Sequence, residues 1–263
     1  MSSLDVGQRE EVTLASIFSL EGRLALITGS SQGIGLALAT GLAEQGARIV
    51  LNGRNPDKLA EAAKSIEGAD AVVFDVTDPG SVEAGVATVE RDFGPIDILI
   101  NNAGMQFRTP LEDFPVDKWK ELFETNVSSA FYAGQAVAKR MIPRGQGKII
   151  NIGSVQSELA RPGIAPYTAT KGAIRNLTRG MCTDWAQYGI QVNAIAPGYF
   201  RTELNQALVD NPEFSAWLEN RTPAGRWGNV EELAGAAVFL ASDASSFING
   251  HTLYVDGGIT ASL

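Results

Sequence analysis

Seven short apolar runs, separated by longer segments of helical periodicity, constrain this 263-residue chain more than any other feature. Leu24–Thr28, Arg48–Asn52, Ala71–Phe74, Ile96–Ile100, Lys148–Ile152, Gln191–Ala196 and Thr252–Val255 are mostly continuous in apolar side chains rather than alternating. Strands of that kind need cover on both faces, which is the condition of a parallel sheet between two helical layers. The intervening segments supply the helices. Ile34–Gln45 is apolar along one side and stops at Gly46, a C-cap glycine. Asp78-Pro79 joins an N-cap residue to a proline at the first helical position, opening a helix that runs to about Phe93. Long helices near Trp119–Met141 and Tyr167–Tyr188, and a last one over Val230–Ala241, complete the pattern. The expected fold is α/β, a single-domain doubly wound parallel sheet with helices on both faces. Residues 1–18 read as a mobile N-terminal extension ahead of a domain spanning 19–263. The stretch from about 198 to 228, holding Pro212 and Pro223, is long enough to be a functional loop.

Charge and cysteine content narrow the function classes. Against 30 Asp and Glu stand 21 Lys and Arg, a formal net charge of −9. That surface argues against a nucleic-acid partner and against anionic membranes, both of which call for clustered cations. With Cys182 alone, no intrachain disulfide can form, which fits a reducing compartment. There is no secretory signal pattern and no uninterrupted apolar stretch of the ~18 residues a membrane span needs. A cytoplasmic protein is expected. Neither His251, the single histidine, nor Cys182 falls in a metal-ligand spacing. Packing or interface roles are expected for both.

The first apolar run leads into Thr28-Gly29-Ser30-Ser31-Gln32-Gly33-Ile34-Gly35. A strand, a glycine-rich turn and a helix start make a phosphate site, because glycines let the backbone approach and the helix N-terminus offers free N–H groups. The spacing is Gly-x-x-x-Gly-x-Gly. Further along, Ser154 follows the fifth run, Tyr167 comes thirteen residues later, and Lys171 four after that. Tyr167 and Lys171 share a helix face. A tyrosine titrating near ~10 is a poor base at neutral pH, and a neighbouring ammonium should lower that value. Tyr167 is then an acid for reducing a ketone and a base for oxidising an alcohol. Ser154 is placed to hydrogen-bond the reacting oxygen.

From about residue 20 onward the chain resembles the short-chain dehydrogenases/reductases. The resemblance rests on the glycine turn, on Asn101-Asn102-Ala103-Gly104 and on the ordered Ser154, Tyr167 and Lys171. It implies a Rossmann-like, dinucleotide-binding catalytic domain, with Gly29, Ser31, Gln32, Gly33, Ile34 and Gly35 along the cofactor. Asn102, Ala103 and Gly104 would support the adenine side, and Asp75-Val76 would meet adenine, although Asp75 alone also reads as a strand-end cap. Asn126 would join the catalytic set by holding a water that links Lys171 to solvent, and Lys171 would hold the nicotinamide ribose. Pro197-Gly198 fits the turn beside the nicotinamide. Thr202 reads equally as a carboxamide contact or a turn stabiliser. After the second run, Asn52-Gly53-Arg54-Asn55 has a base and no acid, which points to NADP by the ribose rule. Gln32, where a base is common in NADP members, leaves NAD open as well.

A subgroup resemblance goes further. Val155–Pro162 and Arg221–Gly228 are similar to the gluconate 5-dehydrogenases, or 5-keto-gluconate 5-reductases. It implies interconversion of a secondary alcohol and a ketone in a sugar acid, with Arg108 at the ligand and Gln156, Glu158 and Arg161 lining the cleft beside Ser154 and Tyr167. For Glu158 and Arg161 an exposed ion pair is an equal reading. Two rivals stand beside it: a reductase of another carbonyl, such as a 3-oxoacyl thioester or another ketose, and a nucleotide-binding sensor without turnover. The family resemblance also implies a homotetramer.

Overall fold

The computed structural model describes residues 13–263. Residues 1–12 of the expected N-terminal extension lie outside the described residues. Thr13 caps a short helix, α1 (Leu14–Phe18), and the Phe18 ring packs 6.4 Å from that of Phe239. Packed chain therefore begins before residue 19.

Seven strands follow: β1 (Leu24–Ile27), β2 (Arg48–Gly53), β3 (Asp70–Val73), β4 (Ile98–Asn101), β5 (Gly147–Ile152), β6 (Ile190–Pro197) and β7 (Thr252–Val255). All pair in parallel, in the order β3-β2-β1-β4-β5-β6-β7. Between them run α2 (Gly33–Glu44), α3 (Pro56–Lys64), α4 (Pro79–Phe93), α5 (Val116–Phe123), α6 (Ser129–Arg144), α7 (Ala165–Trp185), α8 (Gln206–Val209), α9 (Pro212–Arg221) and α10 (Ala234–Ala241). Successive strand residues point to opposite faces, and the core divides accordingly. Ala25 and Ile27 pack with Leu38 and Leu42 of α2, Leu59 of α3 and Ala237 of α10. Leu24 and Leu26 pack with Val82 and Val86 of α4, Val137 and Met141 of α6 and Met181 of α7. This is why the strands read as continuous apolar runs.

Two helices differ from expectation. Trp119–Met141 is interrupted by a π-helical turn over Glu124–Ser128, which carries Asn126. The Asn126 side chain supplies the reason: its Oδ1 accepts from Met105 N–H at 2.8 Å, and its Nδ2 donates to Met105 C=O and to Thr170 Oγ1. Val230–Ala241 opens as a 3-10 turn over Val230–Leu233, where Asn229 and Glu232 form a capping box. The order reverses between β1 and β4, and the cleft opens at the carboxyl ends of the strands there, as this topology dictates.

The segment after β6 is pinched at its base. Phe200 bridges Gly228, Arg201 N–H donates to Gly228 C=O, and Gly228 N–H donates to Tyr199 C=O. Above this neck, α9 carries Phe214, which packs against Tyr199 and Trp227 inside and the exposed Trp217 outside. No helix among the described residues is long and apolar enough to cross a membrane.

Candidate active site

One cleft of about 730 Å³ runs along the carboxyl edge of the sheet, from Arg54 and Asp75 at one end to Gln156 and Arg161 at the other. Its size is that of a cofactor site. Gly29, Ser31, Gln32, Gly33, Ile34 and Gly35 line it, with Val76, Asn102, Ala103, Gly104, Pro197, Gly198 and Thr202.

The glycine turn is held from the neighbouring strand. Asn102 Nδ2 donates to the carbonyls of Thr28 (3.0 Å) and Gly29 (2.8 Å), and Thr28 Oγ1 accepts from the N–H groups of Asn102 and Ala103. Gly29 sits at φ +61°, and a Cβ there would come within 2.8 Å of Ala103 Cα. A Cβ on Gly35 would come within 2.4 Å of Asn102 Nδ2 and 2.6 Å of Gly29 O. The three segments are therefore in contact only because both positions lack a side chain. Gln32, the N-cap of α2, places no side chain over the first-turn N–H groups. Its amide instead donates to Glu203 Oε2 at 2.5 Å and accepts from Lys58 at 3.4 Å. The open helix start and the close glycine approach fit a dinucleotide pyrophosphate. So does Thr202 Oγ1, a buried hydroxyl without a partner in the cleft wall.

At the adenosine end Asp75 accepts from Thr77 N–H and Thr77 Oγ1. The Thr77 backbone bond holds its carboxyl below the usual range, with a smaller contribution from Arg54. Asp75 therefore caps a turn and lines the cleft at once. Lys58 is a cation outside every motif of the sequence. It reaches this edge because Asn55 caps α3, setting the helix from Pro56 onward with Lys58 in its first turn beside Gln32.

At the catalytic end Ser154, Tyr167 and Lys171 come together. Ser154 lies just past β5 and its hydroxyl accepts from Gln156 N–H at 3.1 Å. Lys171 is buried and donates from Nζ to Ile152 C=O at 2.8 Å, with the ammonium 5.7 Å from the centre of the Tyr167 ring. The protein groups alone do not produce the expected depression of the tyrosine pKa. Burial pushes the Tyr167 phenol up to about 12; Ser154, Arg108 and Arg161 pull it back only in part. Burial likewise brings the Lys171 ammonium down to about 8. Among protein groups alone desolvation outweighs the charges: Lys171 is buried, and Tyr167 is half-buried in the cleft wall. The Tyr167 hydroxyl, at the cleft wall, is placed to act as the acid for ketone reduction.

The expected substrate residues separate. Gln156 and Arg161 line the cleft. Glu158 does not: its carboxylate pairs with Arg175 at 2.7 Å and accepts from the Tyr254 hydroxyl, away from the cleft. Arg108 sits at the rim rather than in the lining, donating to Gln106 Oε1 at 2.7 Å and reaching Leu204 C=O and Asn205 Oδ1 at 3.4 Å. Asn126 lies beneath the cleft with its side-chain amide committed to Met105 and Thr170. His251 is exposed and outside the cleft lining, and Cys182 is half-buried beside Gly250. Tyr199, whose hydroxyl accepts from Gln156 Nε2 at 3.4 Å, is a wall residue that no sequence motif marked.

A family model described as enoyl-(acyl carrier protein) reductase matches residues 29–260. A gluconate 5-dehydrogenase of Gluconobacter oxydans is 63% identical over 251 residues, covering 94% of this chain and 98% of the relative. A 5-keto-D-gluconate 5-reductase of Escherichia coli is 51% identical over 247 residues, covering 92% and 97%. The crystal structure of a gluconate 5-dehydrogenase from Burkholderia cenocepacia, in complex with NADP and tartrate, superposes with a TM-score of 0.93 at 60% identity, covering 95% of this chain and 99% of that one. With the ordered Ser154, Tyr167 and Lys171 at the end of a glycine-floored cleft, these likenesses leave one assignment: the chain belongs to the short-chain dehydrogenase/reductase family.

Proposed function

We propose that this protein is an NADP-dependent oxidoreductase that interconverts 5-keto-gluconate and gluconate. The observation that carries it is the single cleft joining the glycine turn, the Ser154, Tyr167 and Lys171 group, and a cationic end at Arg161 and Arg108. The 63% identity to a gluconate 5-dehydrogenase supports the substrate.

When bound, NADPH supplies the hydride that the ketone carbon accepts. The chain's own residues do the rest. Ser154 and the Tyr167 hydroxyl hydrogen-bond the carbonyl oxygen, and Tyr167 delivers its proton there as charge develops. Lys171 holds a positive charge beneath the phenol and stands ready to hydrogen-bond the cofactor ribose. Asn126 braces the loop after β4 against α7 through Met105 and Thr170, and a water relay at this position would use its main chain, since the side-chain amide is engaged. Gly29, Ser31, Gln32, Gly33, Ile34, Gly35, Asp75, Val76, Asn102, Ala103, Gly104, Pro197, Gly198 and Thr202 would hold the cofactor. Arg54, at the adenosine end of the cleft, would meet the 2′-phosphate and set the preference for NADP. The segment from 198 to 228 serves as the substrate loop of a single catalytic domain. The protein works in the cytoplasm as a homotetramer, without nucleic-acid or membrane partners; exposed Trp119, Phe131 and Phe247 support subunit contacts.

Incubating purified protein with NADPH and 5-keto-gluconate, and reading the product by NMR, tests the proposal. Gluconate formed in step with NADPH loss supports it; an unchanged keto acid sinks it.

A further inference from the structure

Two guanidinium groups share the substrate end of the cleft with no carboxylate between them. Arg161 lines it and Arg108 stands at its rim. Arg108 is exposed but partly desolvated by the surrounding protein, which, followed by the Arg161 charge, pushes its guanidinium below the usual range; both cations act on Tyr167. Among the described residues neither belongs to an ion pair. The acids in the lining are committed elsewhere, Glu203 to Gln32 and Asp75 to Thr77. Like charges gathered in a partly desolvated place form an anion site.

The two arginines are held differently. Arg108 is exposed, and its Nη2 already faces Gln106, Leu204 and Asn205, joining the loop after β4 to the segment above the cleft. Arg161 is half-buried, with its guanidinium carbon 5.4 Å from the centre of the Phe214 ring and its Nε buried without a partner. Gln156 Oε1 is also buried and unpartnered, while its Nε2 is turned to the Tyr199 hydroxyl. A planar cation over an aromatic face, lining the cleft with its Nη donors in no hydrogen bond among the described residues, is prepared for two parallel bonds to a carboxylate.

We propose that Arg161 fixes the substrate carboxylate, that Gln156 Oε1 accepts from a neighbouring substrate hydroxyl, and that Arg108 clasps the loop over them. Phe214, carried by α9, is a positioning residue that holds the Arg161 plane and links anion binding to the packing of the 198–228 segment. The assignment rests on the keto sugar acid read above. It predicts that Arg161→Lys, which keeps the charge and loses the fork, raises KM for 5-keto-gluconate about tenfold or more, with kcat changed by less than about threefold. Calorimetric affinity for gluconate in the presence of NADPH falls in parallel, whereas NADPH affinity and the KM for fructose, a neutral ketose, stay put. Phe214→Leu gives a smaller rise of the same kind, and Arg108→Ala a smaller rise than Arg161→Lys. Gluconate affinity within about twofold of wild type in Arg161→Lys, or an equal KM rise for fructose, overturns the assignment while the sugar-acid reading stands. If the unmodified enzyme neither binds gluconate nor reduces 5-keto-gluconate, both fall together.

Discussion

Asn102 is the side chain on which the cofactor end most depends, and removing it has a calculable consequence. Its Nδ2 satisfies two carbonyls of the glycine turn, those of Thr28 and Gly29, at 3.0 and 2.8 Å. Asn102→Ala deletes both bonds and leaves two acceptors in a half-buried place. A net hydrogen bond contributes about 1 kcal/mol, and an unsatisfied buried acceptor costs about 1–3 kcal/mol. Partial access of water to the turn keeps the total near the lower sum, about 2–3 kcal/mol. For a domain of this size that lowers Tm by roughly 4–12 °C. The Thr28 hydroxyl still holds the two N–H groups on the other side, so the fold survives. Asn102→Asp must be worse than alanine, because a carboxylate would face two carbonyl oxygens with no donor. Thermal unfolding followed by circular dichroism gives the first readout, and NADPH affinity by fluorescence titration the second. Both should fall in the order wild type, Ala, Asp. An alanine variant with unchanged Tm and unchanged NADPH affinity, or an aspartate variant as good as alanine, would refute the scaffold role.

Three further outcomes follow from the charges. Tyr167→Phe lowers kcat by roughly 10²–10⁴ while NADPH affinity holds; with the wild-type phenol kept up at about 12 by burial, reduction should persist into mild alkali and gluconate oxidation should climb with pH. Initial rates in both directions from pH 6 to about 10 check this. Arg54→Ala weakens NADP(H) about tenfold, the lower end of a charged contact at an exposed site, and leaves NAD(H) nearly unchanged; equal loss for both cofactors contradicts it. Lys148 is buried at the start of β5, with its ammonium brought down to about 8 chiefly by burial. The unfolded chain binds that proton more tightly, so wild-type stability gains from rising pH between about 8 and 10.5. Lys148→Met should therefore raise Tm at pH 7, by an increment that shrinks as pH passes through that window.

Periodicity revealed the sheet because parallel strands buried on two faces leave an unbroken apolar mark, and the glycine turn and Ser154, Tyr167, Lys171 were legible because each needs one residue type at a set spacing. What stayed hidden depended on distant partners. Glu158 looked like a cleft residue by proximity to Ser154, yet Arg175 and Tyr254, far along the chain, draw it to another face. Arg108 lay close to Asn102 in sequence, and only the fold shows that its donors reach Leu204 and Asn205. The π turn at Asn126 depends on Met105 and Thr170, which lie 21 and 44 residues away in the chain. At Tyr167 the spacing showed the Lys171 charge but not the desolvation that opposes it. Tyr199 and Lys58 carried no motif, and they enter the site through the β6 end and the α3 cap.

The most direct measurement is a comparison of kcat/KM with NADPH for 5-keto-gluconate, fructose and an acetoacetyl thioester under one set of conditions. A charged contact of about 1.5–3 kcal/mol predicts a preference for the keto sugar acid of roughly tenfold or more over the neutral ketose, and a larger one over the thioester. Equal or better turnover of fructose or the thioester would contradict the assignment of this cleft to a sugar acid.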